Sequence, residues 1–231
     1  MRILTDQSYM ERSNYLDIVF CIDCTGSMIH SLENFKVMCS HLYDSITEQT
    51  ENMFMILKKC RIRIIAFSNI PSDEENALQD SGFFVLPDEN ESFLSFVKLL
   101  TIQGKGSQKE GCGLKALALA MASNWQEHEF NSKVKNTYRH LIVLATDAPA
   151  HNLGQVDTVE KLYSNNILLD YEELIDNWEG NMPKGKKLIM FAPESELWCK
   201  IFENISGCIY VPLYDRDSIS FNCEDFVNFI Y

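Results

Sequence analysis

The sequence predicts an α/β domain built on a doubly wound, mostly parallel sheet, and three observations carry that expectation. The runs Ile18-Val19-Phe20-Cys21-Ile22 and Leu141-Ile142-Val143-Leu144-Ala145 are wholly apolar, as strands covered on both faces of a sheet are. Between the strand-like runs lie segments with apolar residues at helical spacing. Strands and helices alternate along the whole chain, with no linker, repeat or composition break.

Each element can be argued in turn. Residues 1–14 are polar and read as a lead-in to a domain covering 15–231. The first strand, about 16–22, ends on Asp23, and Cys24-Thr25-Gly26-Ser27 then makes a tight loop. From Met28 the apolar positions are Met28, Leu32, Phe35, Cys39, Leu42 and Ile46, the stripe of a helix packed on a sheet. Thr25 or Ser27 is placed to cap that helix, and Asp23 read alone is a plausible cap as well. Ile62 to Ser68 is a second strand, and Arg63 within it implies one partly solvated face near the sheet edge. After a turn-rich, acidic stretch from Pro71, Gly82 to Pro87 reads as a short edge strand stopped by proline. Glu91 to Leu100 is helical.

A glycine-rich loop, Gly104 to Gly113, opens a helix carrying Leu114, Leu117, Ala118 and Met121 on one face. The strand around Leu141–Ala145 also ends on an aspartate, Asp147, followed by Ala148-Pro149-Ala150-His151. Residues 155–179 read as an interrupted helix, Lys187 to Pro193 as a strand and Glu194 to Ile205 as a helix. Gly207 to Val211 is the last strand and Asp225 to Tyr231 the closing helix. The sum is a Rossmann-like, six-stranded sheet, parallel apart from one short antiparallel edge strand, with helices on both faces.

Composition excludes several classes of function. With a net charge of −13, the chain is repelled by nucleic acid and by anionic lipid. No window approaches the roughly 20 apolar residues of a spanning helix, and the first residues lack the apolar core of a signal peptide. Most of the 8 cysteines lie in apolar, periodic segments, which suits reduced thiols in the cytoplasm better than disulfides. Cys21-Ile22-Asp23-Cys24 has the spacing of a zinc or redox pair. A zinc site needs a second such pair, and a redox pair belongs at a helix start rather than inside a strand. The glycine-rich loop lacks the P-loop pattern, Asp23-x-Thr25 lacks the second aspartate of an aspartyl phosphotransferase, and His151 has no nucleophile elbow beside it. Trp178 and Trp198 flank helices and belong to the core.

What remains is oxygen chemistry at strand ends. The oxygens of Asp23, Thr25 and Ser27 share one loop and suit a hard divalent cation. Asp23-Cys24-Thr25-Gly26-Ser27-Met28 resembles the Asp-x-Ser/Thr-Gly-Ser-Met form of the metal-ion-dependent adhesion site in von Willebrand factor A domains. Ala145-Thr146-Asp147-Ala148-Pro149-Ala150-His151 is similar to the third metal loop of a bacterial cytoplasmic branch of that family. The loop from Gly104 to Glu110 lies where the family places its second metal loop. The resemblance implies Mg²⁺ or Mn²⁺ held by Asp23, Thr25, Ser27, Ser107 and Asp147, with a protein partner's Asp or Glu completing the octahedron. The second loop departs from the bacterial pattern, because Ser107 stands at an aspartate position, while Glu110 keeps the glutamate. The function implied is a non-enzymatic adaptor module of a bacterial stress or signalling system. A metal-assisted hydrolase, with His151 or Glu110 as general base, and a degenerate domain that binds no metal are the alternatives.

Overall fold

The computed structural model describes residues 12–68, 78–103, 113–127, 135–150, 171–214 and 219–231. Among these residues six strands form one sheet: β1 (Arg12–Asp23), β2 (Ile56–Phe67), β3 (Leu78–Leu86), β4 (Lys135–Ala145), β5 (Lys186–Pro193) and β6 (Cys208–Leu213). Their order is β3-β2-β1-β4-β5-β6. All neighbours are parallel except β2 and β3, which are antiparallel. The helices are α1 (Ile29–Asn52), α2 (Asn90–Leu99), α3 (Gly113–Met121), α4 (Tyr171–Gly180), α5 (Glu196–Asn204) and α6 (Cys223–Ile230).

Alternation along β1 sorts the core into two layers. Leu16, Ile18, Phe20 and Ile22 pack on one face with Leu32, Phe35, Cys39, Leu42 and Ile46 of α1 and with α2 and α6. Val19 and Cys21 face the other way, towards α3, α4 and α5, where Trp178 and Trp198 are fully buried. Burial of a strand on both faces is why its residues read as continuous apolar runs. The chain turns outward in both directions from the β1/β4 pair, so the carboxyl ends of these two strands frame the switch-point crevice of a doubly wound sheet.

Three strands are longer than their apolar runs. β1 begins at Arg12, and its polar Ser13 and Asn14 are buried. Asn14 donates to the Tyr231 hydroxyl at 3.0 Å and accepts from Arg139 at 2.6 Å, partners remote in sequence. β2 begins at Ile56 rather than near Ile62. β3 begins at Leu78, because Asp80 forks onto Arg63 of β2, with its Oδ1 accepting from Nε at 2.8 Å. Arg63 thus pairs with the edge strand, as its place near the edge implied. The interrupted helix expected over 155–179 is seen only as α4, because residues 151–170 lie outside the described part.

A buried polar cluster sits low on the sheet. Asp17 of β1 accepts from Arg61 of β2 at 2.8 and 2.7 Å, and from the Gln126 N–H at 2.8 Å. His140 of β4 lies 3.6 Å from the same carboxylate. Asp17 is fully buried, and this set of partners satisfies its oxygens.

Candidate metal centre

The first loop is built by the end of β1. Asp23 is fully buried, and its Oδ1 accepts from the Thr25 N–H at 2.8 Å, which closes a tight turn over Cys24. The Cys24 N–H donates to the Phe67 carbonyl at 2.7 Å, tying the loop to the end of β2. Gly26–Met28 then make a single 3-10 turn before α1, and the Met28 N–H donates to the Thr25 carbonyl at 3.0 Å.

This turn corrects the capping expectation. Neither Thr25 nor Met28, the residues at the two cap positions, makes a side-chain cap bond. The 3-10 turn interposes three residues between Thr25 and α1, and the Met28 N–H is satisfied there by the Thr25 carbonyl. Asp23 likewise bonds within its own loop rather than to the first turn of α1. The Thr25 and Ser27 hydroxyls instead meet each other, with Oγ1 and Oγ 3.3 Å apart. Thr25 is buried to 5 % exposure while Ser27 is exposed, so the pair straddles the rim of the crevice.

The third loop arrives from β4. Thr146 is buried at the end of that strand, and its hydroxyl donates to Asp23 Oδ2 at 2.6 Å. The same hydroxyl accepts from the Ala148 N–H at 3.1 Å, so one side chain joins the two loops and shapes the second of them. Asp147 follows, half-buried. Burial pushes the Asp23 carboxyl above its ordinary value, bonds from Thr146 and Thr25 oppose that shift, and the nearby charge of Asp147 adds to it. The backbone beyond Asp147 is held from outside, since Trp198 Nε1 of α5 donates to the Ala148 carbonyl at 3.1 Å.

The structure therefore brings together Asp23, Thr25, Ser27 and Asp147 of the expected ligands. Ser107, together with Glu110 and His151, lies outside the described residues. Both described flanks of that glycine-rich loop adjoin the site. The Gln103 N–H donates to the Cys24 carbonyl at 2.8 Å, and α3 begins at Gly113 against Trp198 and Phe67. Thr146 immediately precedes the strand-end aspartate, but nothing local in the sequence signals that its hydroxyl reaches Asp23. Trp198 belongs to the core, as its helix-flanking place predicts, and in addition holds Ala148.

The donor chemistry fits a small hard cation. Adjacent ligands of an octahedral Mg²⁺ at about 2.1 Å lie ~3 Å apart, close to the 3.3 Å between the Thr25 and Ser27 oxygens. Asp23 has one protein donor on each oxygen, which leaves it a lone pair on each for a metal-bound water. Among the described residues no cluster of three or more His, Cys, Asp or Glu is placed to hold a metal. Among the described residues, what the crevice offers a cation is therefore hydroxyls as well as carboxylates.

Cys21 lies inside β1 and Cys24 directly after it. Both thiols are free and buried. Burial pushes the Cys24 thiol up to about 12 and the Cys21 thiol higher still, so neither is a thiolate at neutral pH.

The sequence pattern of the von Willebrand factor type A domain matches residues 17–169. The chain belongs to the von Willebrand factor type A family. No curated protein sequence matches it. Among solved structures the vWA chain is similar to the pilus adhesin SpaC from Lactobacillus rhamnosus GG in its open conformation, with a TM-score of 0.51 and 11% identity. That alignment covers 93% of this chain and 29% of SpaC. A second SpaC structure aligns at a TM-score of 0.50 and 11% identity, over 93% of this chain and 30% of SpaC. This vWA chain thus spans under a third of SpaC's length. At such identity the likeness establishes the shared fold.

Proposed function

We propose that this vWA domain is a metal-dependent protein-interaction module that binds a partner's Asp or Glu through Mg²⁺ or Mn²⁺. The observation that carries the reading is the bridge from Thr146 to Asp23, which sets two strand-end loops with two carboxylates and two hydroxyls around one crevice. Thr25 and Ser27 would hold the cation directly, and Asp23 and Asp147 would hold it directly or through water. Ser107 would supply a further hydroxyl from the second loop. A cation with an open coordination position attracts a carboxylate strongly where surrounding side chains exclude water. The module is non-enzymatic in this reading, and the described cysteines, all free and four of them buried, support a reducing, cytoplasmic setting such as that of bacterial stress or signalling adaptors.

Calorimetric titration with Mg²⁺ and Mn²⁺ tests the site. The wild type should bind a single ion, and Asp147→Ala should lose that binding. Silence of the wild type at millimolar ion, or equal binding by the variant, would overturn the metal reading and leave a vWA interaction domain without metal. A panel of phosphoesters separates adaptor from hydrolase. Metal-dependent turnover that disappears in Asp23→Ala would overturn the non-enzymatic assignment.

A further inference from the structure

At the end of the sheet opposite the metal loops, the first residues of β4 and β5 and the last turn of α6 enclose a cleft of about 280 Å³. Arg139, Lys186, Lys187 and His140 line it, along with Thr137 and Tyr231, and no Asp or Glu side chain does so among the described residues. In a chain of net charge −13, the three cations Arg139, Lys186 and Lys187 are an unusual concentration of positive charge.

Two of these groups are already matched. Lys186 Nζ lies 3.8 Å from the Glu179 carboxylate and bonds the Trp178 and Glu179 carbonyls, and His140 lies 3.6 Å from Asp17. The other two are not. Arg139 donates to the Asn14 side-chain oxygen at 2.6 Å, and Lys187 donates to the Phe229 carbonyl at 2.6 Å. Neither has a carboxylate partner among the described residues. Burial lowers the pKa of both, and the charge of Arg139 lowers that of Lys187 further, so the two cations repel each other across the cleft.

Each contact made with protein uses one donor, while a guanidinium carries five and an ammonium three. The Arg139 guanidinium lies over the Tyr231 ring, 4.8 Å from its centroid, which restrains its plane. A restrained guanidinium beside a point cation is a natural receptor for a tetrahedral oxyanion: bidentate bonds on one side, compact charge on the other. The volume lies just under the roughly 300 Å³ at which pockets for larger organic ligands begin, so a small group fits.

We propose that this cleft is a second ligand site of the protein, specific for a phosphate group carried by a small molecule, with Arg139 and Lys187 as its two cationic contacts. A phosphate monoester carries about two negative charges at neutral pH, which matches the uncompensated pair. The site is independent of the metal loops, which lie at the other ends of β1 and β4.

Calorimetry of the full chain with inorganic phosphate, at ionic strength held constant with chloride, is the test. The wild type should bind in the millimolar range or tighter. Lys187→Gln and Arg139→Gln should each weaken binding by about tenfold or more, the loss expected for one charge-assisted contact. Lys187→Arg, which keeps the charge, should retain binding, and cooperative thermal unfolding identifies variants that remain folded. No heat of binding from the wild type would overturn the site. So would unchanged affinity in a folded Lys187→Gln protein, or acetate binding as tightly as phosphate.

Discussion

Thr146 shows how much one side chain can decide. Its hydroxyl donates a hydrogen bond to Asp23 and accepts one from the Ala148 N–H, so it orients a carboxylate and a loop together. Thr146→Val keeps the shape and removes both bonds. Supporting bonds of this kind typically change metal affinity 10- to 100-fold, and a loss of about that size in a Mg²⁺ titration is expected. Asp17 makes the comparable case for stability. Burial raises its pKa, and bonds from Arg61 and the Gln126 N–H, with the His140 imidazole close by, outweigh burial, so the folded value lies below the usual carboxylate range. The folded state therefore binds fewer protons than the unfolded one in acid. The stabilisation is complete above the unfolded value of about 3.9 and is lost as pH falls through the folded value. Arg61→Met leaves that carboxylate buried without its guanidinium partner, at a cost of about 3–5 kcal/mol at pH 7 in urea unfolding. Without Arg61 the pKa of Asp17 rises, so the deficit should narrow as the pH approaches 4. A deficit that does not change with pH would show that Arg61 acts through packing alone.

At the scale of elements, α5 governs the third loop and α3 adjoins it. Gly113, the first residue of α3, faces the Trp198 indole so closely that a Cβ there would stand 3.0 Å from Cη2 and 3.1 Å from Cζ2. Gly113→Ala gains helix propensity but forces the ring to move, and the ring carries the bond to Ala148. Trp198→Phe keeps most of the buried surface and deletes the donor, leaving the Ala148 carbonyl without that partner. The expected cost is about 1–3 kcal/mol in stability, with weaker Mg²⁺ binding measured by calorimetry. Stability that falls with no change in ion affinity would separate α5 from the site. Secondary structure was legible where the burial pattern was regular. The stripe on α1 was read residue by residue, because a long helix on a sheet needs an unbroken apolar face. Element ends are less legible, as at Asn14 of β1 and Asp80 of β3. There polar residues extend strands because distant partners bond to them.

For the whole molecule, the arrangement of the sheet fixes where the crevice lies. The order β3-β2-β1-β4-β5-β6 opens a crevice at the carboxyl ends of β1 and β4. No helix among the described residues is long and apolar enough to cross a membrane. An ion that binds only the folded state stabilises the entire fold, by about 2.7 kcal/mol when present at 100 times its Kd. For a domain of this size that corresponds to roughly 5–10 °C in the unfolding midpoint. Differential scanning calorimetry with and without Mg²⁺ should show such a rise in the wild type and none in Asp23→Ala. An equal rise in both proteins would place the ion elsewhere.

By itself the sequence determined the alternation of strand and helix, the two layers of core, and the strand-end residues Asp23, Thr25, Ser27 and Asp147. Each of these is written in local periodicity or in a short contiguous motif. Only the tertiary structure decided that Thr146 joins the two loops, that Trp198 holds the third, and that Thr25 and Ser27 turn their hydroxyls to each other rather than to the helix. The hydroxyl of Thr146 and the carboxylate it orients are 123 residues apart. Local pattern does not encode a contact of that range; it exists only once β1 and β4 lie side by side.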